Sequence, residues 1–237
     1  TSLITCLPQF FREKEQNGYE FVTVDFQGYQ DKSFFEILNY LADEIRNHLD
    51  DKIIDKLSEK VRESDDSSGY FFDNFLPKII NRYLSGKKLV LLLDEFDVLE
   101  KHEIIKNRKG KKLFDNLENA VKQQEKLFAI LVFGRPLRDM NYLEEFLQKE
   151  GQKAIEVGLL NKKGTRDLIV KPALGILEYT EDAIEKIWEL SAGQPSLTQL
   201  LCSNIFYYCR GKEKKRVQKG DVDSILSKAM EEGEPVL

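Results

Sequence analysis

Cysteine and histidine are scarce: Cys6, Cys202 and Cys209 are the 3 cysteines, and His48 and His102 the 2 histidines, of 237 residues. An odd cysteine count without paired metal-ligand spacing argues against both a disulfide framework and a zinc site. Long apolar runs are missing as well. Even the stretch 127–133 falls far short of the roughly 20 residues a spanning helix needs, and no signal-peptide pattern opens the sequence. The expectation is therefore a cytoplasmic protein that makes no use of a membrane. Positive charge is not in excess, since 36 Lys and Arg against 41 Asp and Glu leave a net charge of −5 and no global attraction for nucleic acid. There is also no internal repeat and no extended low-complexity linker.

What remains is 41% hydrophobic and 32% charged, enough to bury the core of one large domain or two smaller ones. The most informative stretch is Leu89-Val90-Leu91-Leu92-Leu93-Asp94-Glu95-Phe96-Asp97. Five apolar residues that run into adjacent acids describe a fully buried parallel strand opening on polar chemistry. In isolation such a run is more often a core strand before an ordinary acidic loop, but the rest of the chain reverses that preference. The pattern is that of a Walker B motif. In that reading Asp94 helps to hold Mg²⁺ and Glu95 polarises the water that attacks the γ-phosphate of ATP.

The sequence opens Thr1-Ser2-Leu3-Ile4, with Leu3, Leu7, Phe10 and Phe11 at helical spacing. This resembles the residues after the Gly-Lys of a Walker A motif, where a hydroxyl ligates Mg²⁺ and a helix N-terminus faces phosphate. Thr1 would then be a metal ligand and, with Ser2, part of the nucleotide site, while the glycine-rich loop and its lysine would lie upstream. Nothing like G-x-x-x-x-G-K-[ST] occurs within the 237 residues. Pro8 should kink or end the helix.

Between these motifs, strand and helix alternate. Residues 20–26 read as a strand. Phe34, Ile37, Leu38, Leu41 and Ile45 mark a helix, Ile53, Ile54, Leu57 and Val61 another, and Phe72, Phe75, Leu76, Ile79, Ile80 and Tyr83 a third. A basic loop follows the acids. Leu113, Leu117 and Val121 then mark a helix and 127–133 a second buried strand. Such alternation predicts an α/β fold with a parallel sheet flanked by helices. Near Gly158 helices take over, at 180–192, 195–208 and from about Asp221, a candidate N-cap, to Glu231, with a short strand-like segment at Arg216-Val217-Gln218. The expected organisation is a core over 1–158 and a helical lid with a winged-helix-like segment over 159–237.

The order of Thr1-Ser2-Leu3, Asp94-Glu95-Phe96-Asp97, Phe133-Gly134-Arg135-Pro136, Gly158-Leu159-Leu160 and Ala192-Gly193-Gln194-Pro195 through Cys202 resembles bacterial STAND-type P-loop ATPases of the AAA+ and origin-recognition-like branch. These proteins usually carry Gly-His-Pro where this chain has Gly193-Gln194-Pro195. The resemblance implies that Arg135 is a sensor of the γ-phosphate, and that Gly193 and Pro195 belong to a lid motif that approaches the nucleotide. Read from the residues alone, Arg135 is equally a loop arginine paired with Glu144 or Glu145, and Gly193 and Pro195 a helix stop and restart. Asp97 reads as a cap for the following segment rather than a metal ligand.

Two basic runs, Lys106 to Lys112 and Arg210 to Lys219, could meet DNA phosphates, although solvated loops are the commoner outcome in an acidic chain. The implied function is an ATP-binding, slowly hydrolysing switch in a larger signalling or defence protein. Fused or associated sensor and effector domains and a nucleotide-dependent homo-oligomer would be its partners. The alternatives are a DNA-associated AAA+ ATPase of initiator or transposition-helper type, and a nonenzymatic scaffold with a degenerate site. For the first two, the coding sequence upstream of Thr1 is expected to supply a strand and its phosphate-binding loop.

Overall fold

The computed structural model describes residues 2–49, 52–84, 86–100, 109–135, 141–149 and 154–232. The chain divides into two compact units, Thr1–Lys153 and Ala154–Leu237. The division falls a few residues before the expected break at Gly158.

The first unit is built on a parallel sheet of three strands in the order β1 (Tyr19–Asp25), β2 (Lys88–Asp94), β3 (Leu127–Leu131). The register runs Val22 to Leu91 to Ala129, and places Asp25 opposite Asp94 where the strands end. Strand β2 is central, which explains its unbroken apolar run: both faces and both edges are covered. On one face Val22, Val24, Leu89, Leu91 and Leu93 pack with helices α2 (Phe34–Leu49), α3 (Lys52–Glu63) and α6 (Lys109–Gln123) and with the helical stretch 67–83. That stretch begins as α4 (Ser67–Tyr70), winds as a π-helix through Phe71–Phe75, continues as α5 (Leu76–Lys78) and ends in a second π-turn, Ile79–Tyr83.

The opposite face carries helix α1 (Ser2–Glu13). Pro8 lies inside α1 without ending it, contrary to the expectation for an interior proline. Ile4 of α1 clusters with Val90 and Leu92, whereas the Phe11 ring sits edge-on to Tyr19 and Phe21, at 5.2 and 5.1 Å, by the start of β1. The helix therefore runs opposite to the strands, and its N-terminus points toward the end of β2 that carries Asp94. Coverage of this face is incomplete over β3, where Phe128 and Ile130 remain 40% and 38% exposed. Among the described residues no strand pairs with the outer edge of β3. Helix α7 (Asn141–Lys149) closes the unit, with Leu143 in the main core.

In the second unit helices α8 (Lys162–Ala173), α9 (Glu181–Ser191), α10 (Pro195–Gly211) and α11 (Lys219–Glu232) surround a core that includes Ile169, Ile187, Leu201, Ile205 and Val222. Strands β4 (Glu178–Tyr179) and β5 (Arg216–Val217) pair in parallel. The wing of a winged helix is an antiparallel hairpin, so the expected winged-helix-like segment takes a different form: β5 returns after α9 and α10 to lie alongside β4. Ahead of α8 the segment 154–160 has no secondary structure, and its alternating Ile155, Val157 and Leu159 are all exposed.

Helix α2 has a capping box. The Ser33 N–H and hydroxyl both donate to the Glu36 carboxylate at 2.8 Å, and the Glu36 N–H donates to Ser33 Oγ at 3.2 Å. The Ser33 backbone N–H, its hydroxyl and the Lys32 ammonium hold the Glu36 carboxyl at about 2, below its ordinary 4.5. A carboxyl depressed on folding adds stability above its unfolded value, and that stability is lost as pH falls through the folded one. Glu36→Gln should therefore be less stable than the wild type at neutral pH, with the difference shrinking as pH drops from 4.5 toward about 2. Urea unfolding across that range measures it, and a pH-independent difference would contradict the assignment.

Candidate functional site

The acids of the β2 terminus stand where the strand leaves the sheet. Asp94 is 2% exposed, and its Oδ1 accepts the Glu95 N–H at 3.0 Å. Glu95 is half-buried and holds a left-handed backbone with φ 53°, a conformation that is strained for a residue with a side chain. Backbone bonds on each side keep it there: Phe96 N–H donates to Val132 O at 2.9 Å, and Val98 N–H to Glu95 O at 2.9 Å. Phe96 is fully buried and packs edge-on against Phe26, which follows β1, at 6.1 Å. Tyr40 meets Phe26 at 6.3 Å and donates its hydroxyl to Asp25 O at 3.0 Å, so an aromatic set fixes the ends of β1 and β2 to each other.

Strand β3 brings up the third member. Val132 N–H donates to Leu93 O at 2.9 Å, and the chain then turns through Gly134 and Arg135. Asp97, which is buried, accepts the Gly134 N–H at 3.1 Å and Arg135 Nε at 3.2 Å, while Arg135 Nη2 donates to the Asp97 carbonyl at 3.1 Å. Arg135 is thus paired with Asp97 rather than with Glu144 or Glu145. Asp97 in turn is not the cap expected from the sequence: it lies within the short 3-10 helix Phe96–Glu100, and its carboxylate ties the β2 turn to the β3 turn. Sequence reasoning missed this role because the partners lie 37 and 38 residues apart. The available signal was an acid too close behind the apolar strand to be solvated.

Asp94, Glu95 and Arg135 are therefore brought to one end of the sheet, the end to which the N-terminus of α1 points. Ser2 is the first residue of that helix. Thr1, the candidate Mg²⁺ ligand, lies outside the described residues, as do Pro136 and Lys106 to Arg108 of the first basic run. The rest of that run is helical rather than loop. Lys111 pairs with Asp115 at 2.6 Å within α6, and the Lys112 ammonium sits 4.3 Å from the centre of the Phe34 ring. Among the described residues no group of three or more His, Cys, Asp or Glu could hold a metal ion by protein ligands alone. A buried carboxylate at a strand end is nevertheless the donor Mg²⁺ takes when it is bound through one or two acids together with substrate phosphates, so Asp94 fits that ion. A cavity of about 620 Å³ lies elsewhere, against residues 19–23 at the start of β1 between α1 and α2, where Glu20 is paired with His48 and Lys87. It belongs to the far end of the sheet from Asp94.

Gly193 and Pro195 lie in the second unit, where the structure shows a helix stop and restart. Ala192 ends α9 with φ 48°, Gly193 follows at φ 79°, and Pro195 opens α10. The Gly193 carbonyl accepts the Leu160 N–H at 2.8 Å, which joins two of the sequence motifs, Gly158-Leu159-Leu160 and Gly193-Gln194-Pro195. In the second basic run the Lys214 ammonium donates to Asp221 Oδ1 at 2.5 Å. Asp221 is not the N-cap expected for α11. It sits within the first turn of that helix and accepts the Gln218 N–H at 2.9 Å. Burial pushes the Cys202 thiol up to about 11, away from the thiolate form that a nucleophile needs.

No protein-family model and no curated protein matches the sequence. Among solved structures, the chain is similar to the ORC2 protein of Aeropyrum pernix, determined as ADPNP–ADP complexes, with a TM-score of 0.63 and 13% identity over 94% of this chain and 57% of that one. The chain thus spans a little over half the length of that protein. At this identity the likeness shows the fold alone, a mixed α/β fold shared with that protein.

The turn at Gly193 makes a prediction. A Cβ there would lie 2.1 Å from the Leu160 carbonyl oxygen, whereas one at Gly211 would meet nothing within 4 Å. Gly193→Ala should destabilise by at least about 2 kcal/mol, from left-handed strain plus a backbone clash. Gly211→Ala should be close to neutral. Urea unfolding of both variants checks this, and equal midpoints would refute the clasp between Gly193 and Leu160.

Proposed function

We propose that this chain is the ATP-binding core and lid of a nucleotide-operated switch within a larger signalling or defence protein. The observation that carries the reading is the meeting of Asp94, a strained Glu95 and an anchored Arg135 at one end of a parallel sheet, beneath the N-terminus of α1. A helix N-terminus favours phosphate, and Asp94 with the hydroxyl of Thr1 would hold Mg²⁺. That ion would supply neutralisation of the phosphate charge. Glu95 would orient and deprotonate the attacking water, and Arg135 would meet the charge that develops on the γ-phosphate. Ser2, at the head of α1, would add a phosphate contact.

The glycine-rich loop would come from residues upstream of Thr1. Among the described residues nothing pairs with the outer edge of β3, and this, with the exposed Phe128 and Ile130, favours a further strand there, since such an edge is otherwise a template for unwanted pairing. Gly193 and Pro195 would carry the nucleotide state to the second unit, with sensor and effector domains and a nucleotide-dependent homo-oligomer as the output. The order of sequence motifs along the whole chain supports this assignment.

A second reading, a DNA-associated ATPase, draws on the likeness to an origin-recognition protein and on the exposed Arg210, Lys215, Arg216 and Lys219. The capture of Lys214 by Asp221 weighs against it.

Hydrolysis by the full-length protein tests the first reading. Glu95→Gln should retain ATP binding and lower turnover by about two orders of magnitude, the scale of losing a general base. Asp94→Ala should weaken Mg²⁺-dependent binding. Unchanged turnover in Glu95→Gln would remove this residue from the mechanism. DNA binding that is tight, falls steeply with salt and is lost in the Lys215→Ala, Arg216→Ala double variant would favour the second reading.

A further inference from the structure

The Asp97 carboxylate is buried behind the candidate site, and a buried carboxylate is tolerated only when it is paired and hydrogen-bonded. Its two oxygens are engaged by different groups of one turn, Oδ1 by the Gly134 N–H and Oδ2 by Arg135 Nε. The Asp97 carbonyl takes Arg135 Nη2 at 3.1 Å. One edge of the guanidinium is thereby fixed against the turn that follows Glu95. Among the described residues nothing pairs with Nη1, and the Arg135 side chain keeps 35% of its surface exposed. A guanidinium held by Nε and one Nη still has N–H donors directed away from that edge.

We infer that Asp97 is a positioning residue for nucleotide discrimination: it fixes Arg135 so that the outward donors meet a γ-phosphate, and so makes the preference for ATP over ADP depend on a side chain that never touches nucleotide. This rests on the nucleotide site proposed above. Arg135 without Asp97 would be a long side chain that must lose its rotamer freedom on each binding event. With Asp97 that ordering is already complete in the folded protein. The same carboxylate also links the sensor turn to the turn holding Glu95. Contact with the γ-phosphate at Arg135 therefore bears on the backbone that aims Glu95.

The test measures dissociation constants for ADP and for a non-hydrolysable ATP analogue in the full-length protein. The set is wild type, Arg135→Ala, Asp97→Asn and the double variant. Asparagine keeps an acceptor for the Gly134 N–H but sets an amide donor against Arg135 Nε. Each single variant should lose about tenfold or more of the ATP preference, the scale of a hydrogen bond to a charged group, with ADP affinity close to wild type. The double variant should lose no more than Arg135→Ala alone. Full ATP preference in Asp97→Asn, or additive losses in the double variant, would overturn the inference. Should Asp97→Asn fail to fold by thermal unfolding, Arg135→Lys decides: it keeps the charge without the fork, and is expected to lose the preference. Retention of the preference by Arg135→Lys would overturn the inference. A wild type that binds neither nucleotide would instead overturn the proposed function, and this inference with it.

Discussion

A strand that is buried on both faces and paired on both edges has no place for a charge along its length. In β2 this constraint runs from Leu89 to Leu93, and the first acid, Asp94, comes only at the last residue of the strand, opposite Asp25. The position of the acids is therefore a consequence of the core. The same burial sets the aromatic packing of Phe26 on Phe96 and the backbone bonds from the end of β3, which together hold Glu95 in a left-handed conformation it would not adopt alone. Strain of that kind persists only where the surroundings over-determine it.

Around this end of the sheet, electrostatics follow from desolvation. Asp97 is buried too, and a second neutral surface offers it nothing. It recruits Gly134 and Arg135, converting two separate turns into one hydrogen-bonded unit. The second unit holds its own turn by backbone contact instead. Gly193 lies so close to Leu160 that a side chain cannot fit, and the Leu160 N–H bonds to the Gly193 carbonyl. In the first unit a buried charge makes the junction; in the second it is the absence of a side chain.

Much of this architecture was legible in the sequence. The apolar run of β2 and the helical periodicities around Ile37, Leu41 and Ile45 correspond to elements of the structure because burial imposes periodicity directly. The turn of Ala192 and Gly193 was legible from glycine followed closely by proline. Three features were not. The Asp97 to Arg135 pair joins residues far apart in sequence, so local pattern is silent on it. The parallel pairing of Glu178 with Arg216 and of Tyr179 with Val217 depends on how α9 and α10 return the chain, and two-residue strands leave too short a pattern to give direction. Pro8 lies inside a helix whose apolar side packs on the sheet, so tertiary contacts outweighed the local penalty. The placement of Thr1 falls outside the described residues, and the role given to it stands on the motif resemblance.

The most direct measurement is a crystal structure of the full-length protein grown with Mg²⁺ and a non-hydrolysable ATP analogue. The nucleotide should lie at the C-terminal ends of β2 and β3, with its phosphates toward the start of α1 and the metal on the Asp94 side. Nucleotide bound in the cavity against the first half of β1, or a protein without nucleotide at saturating concentration, would contradict the account.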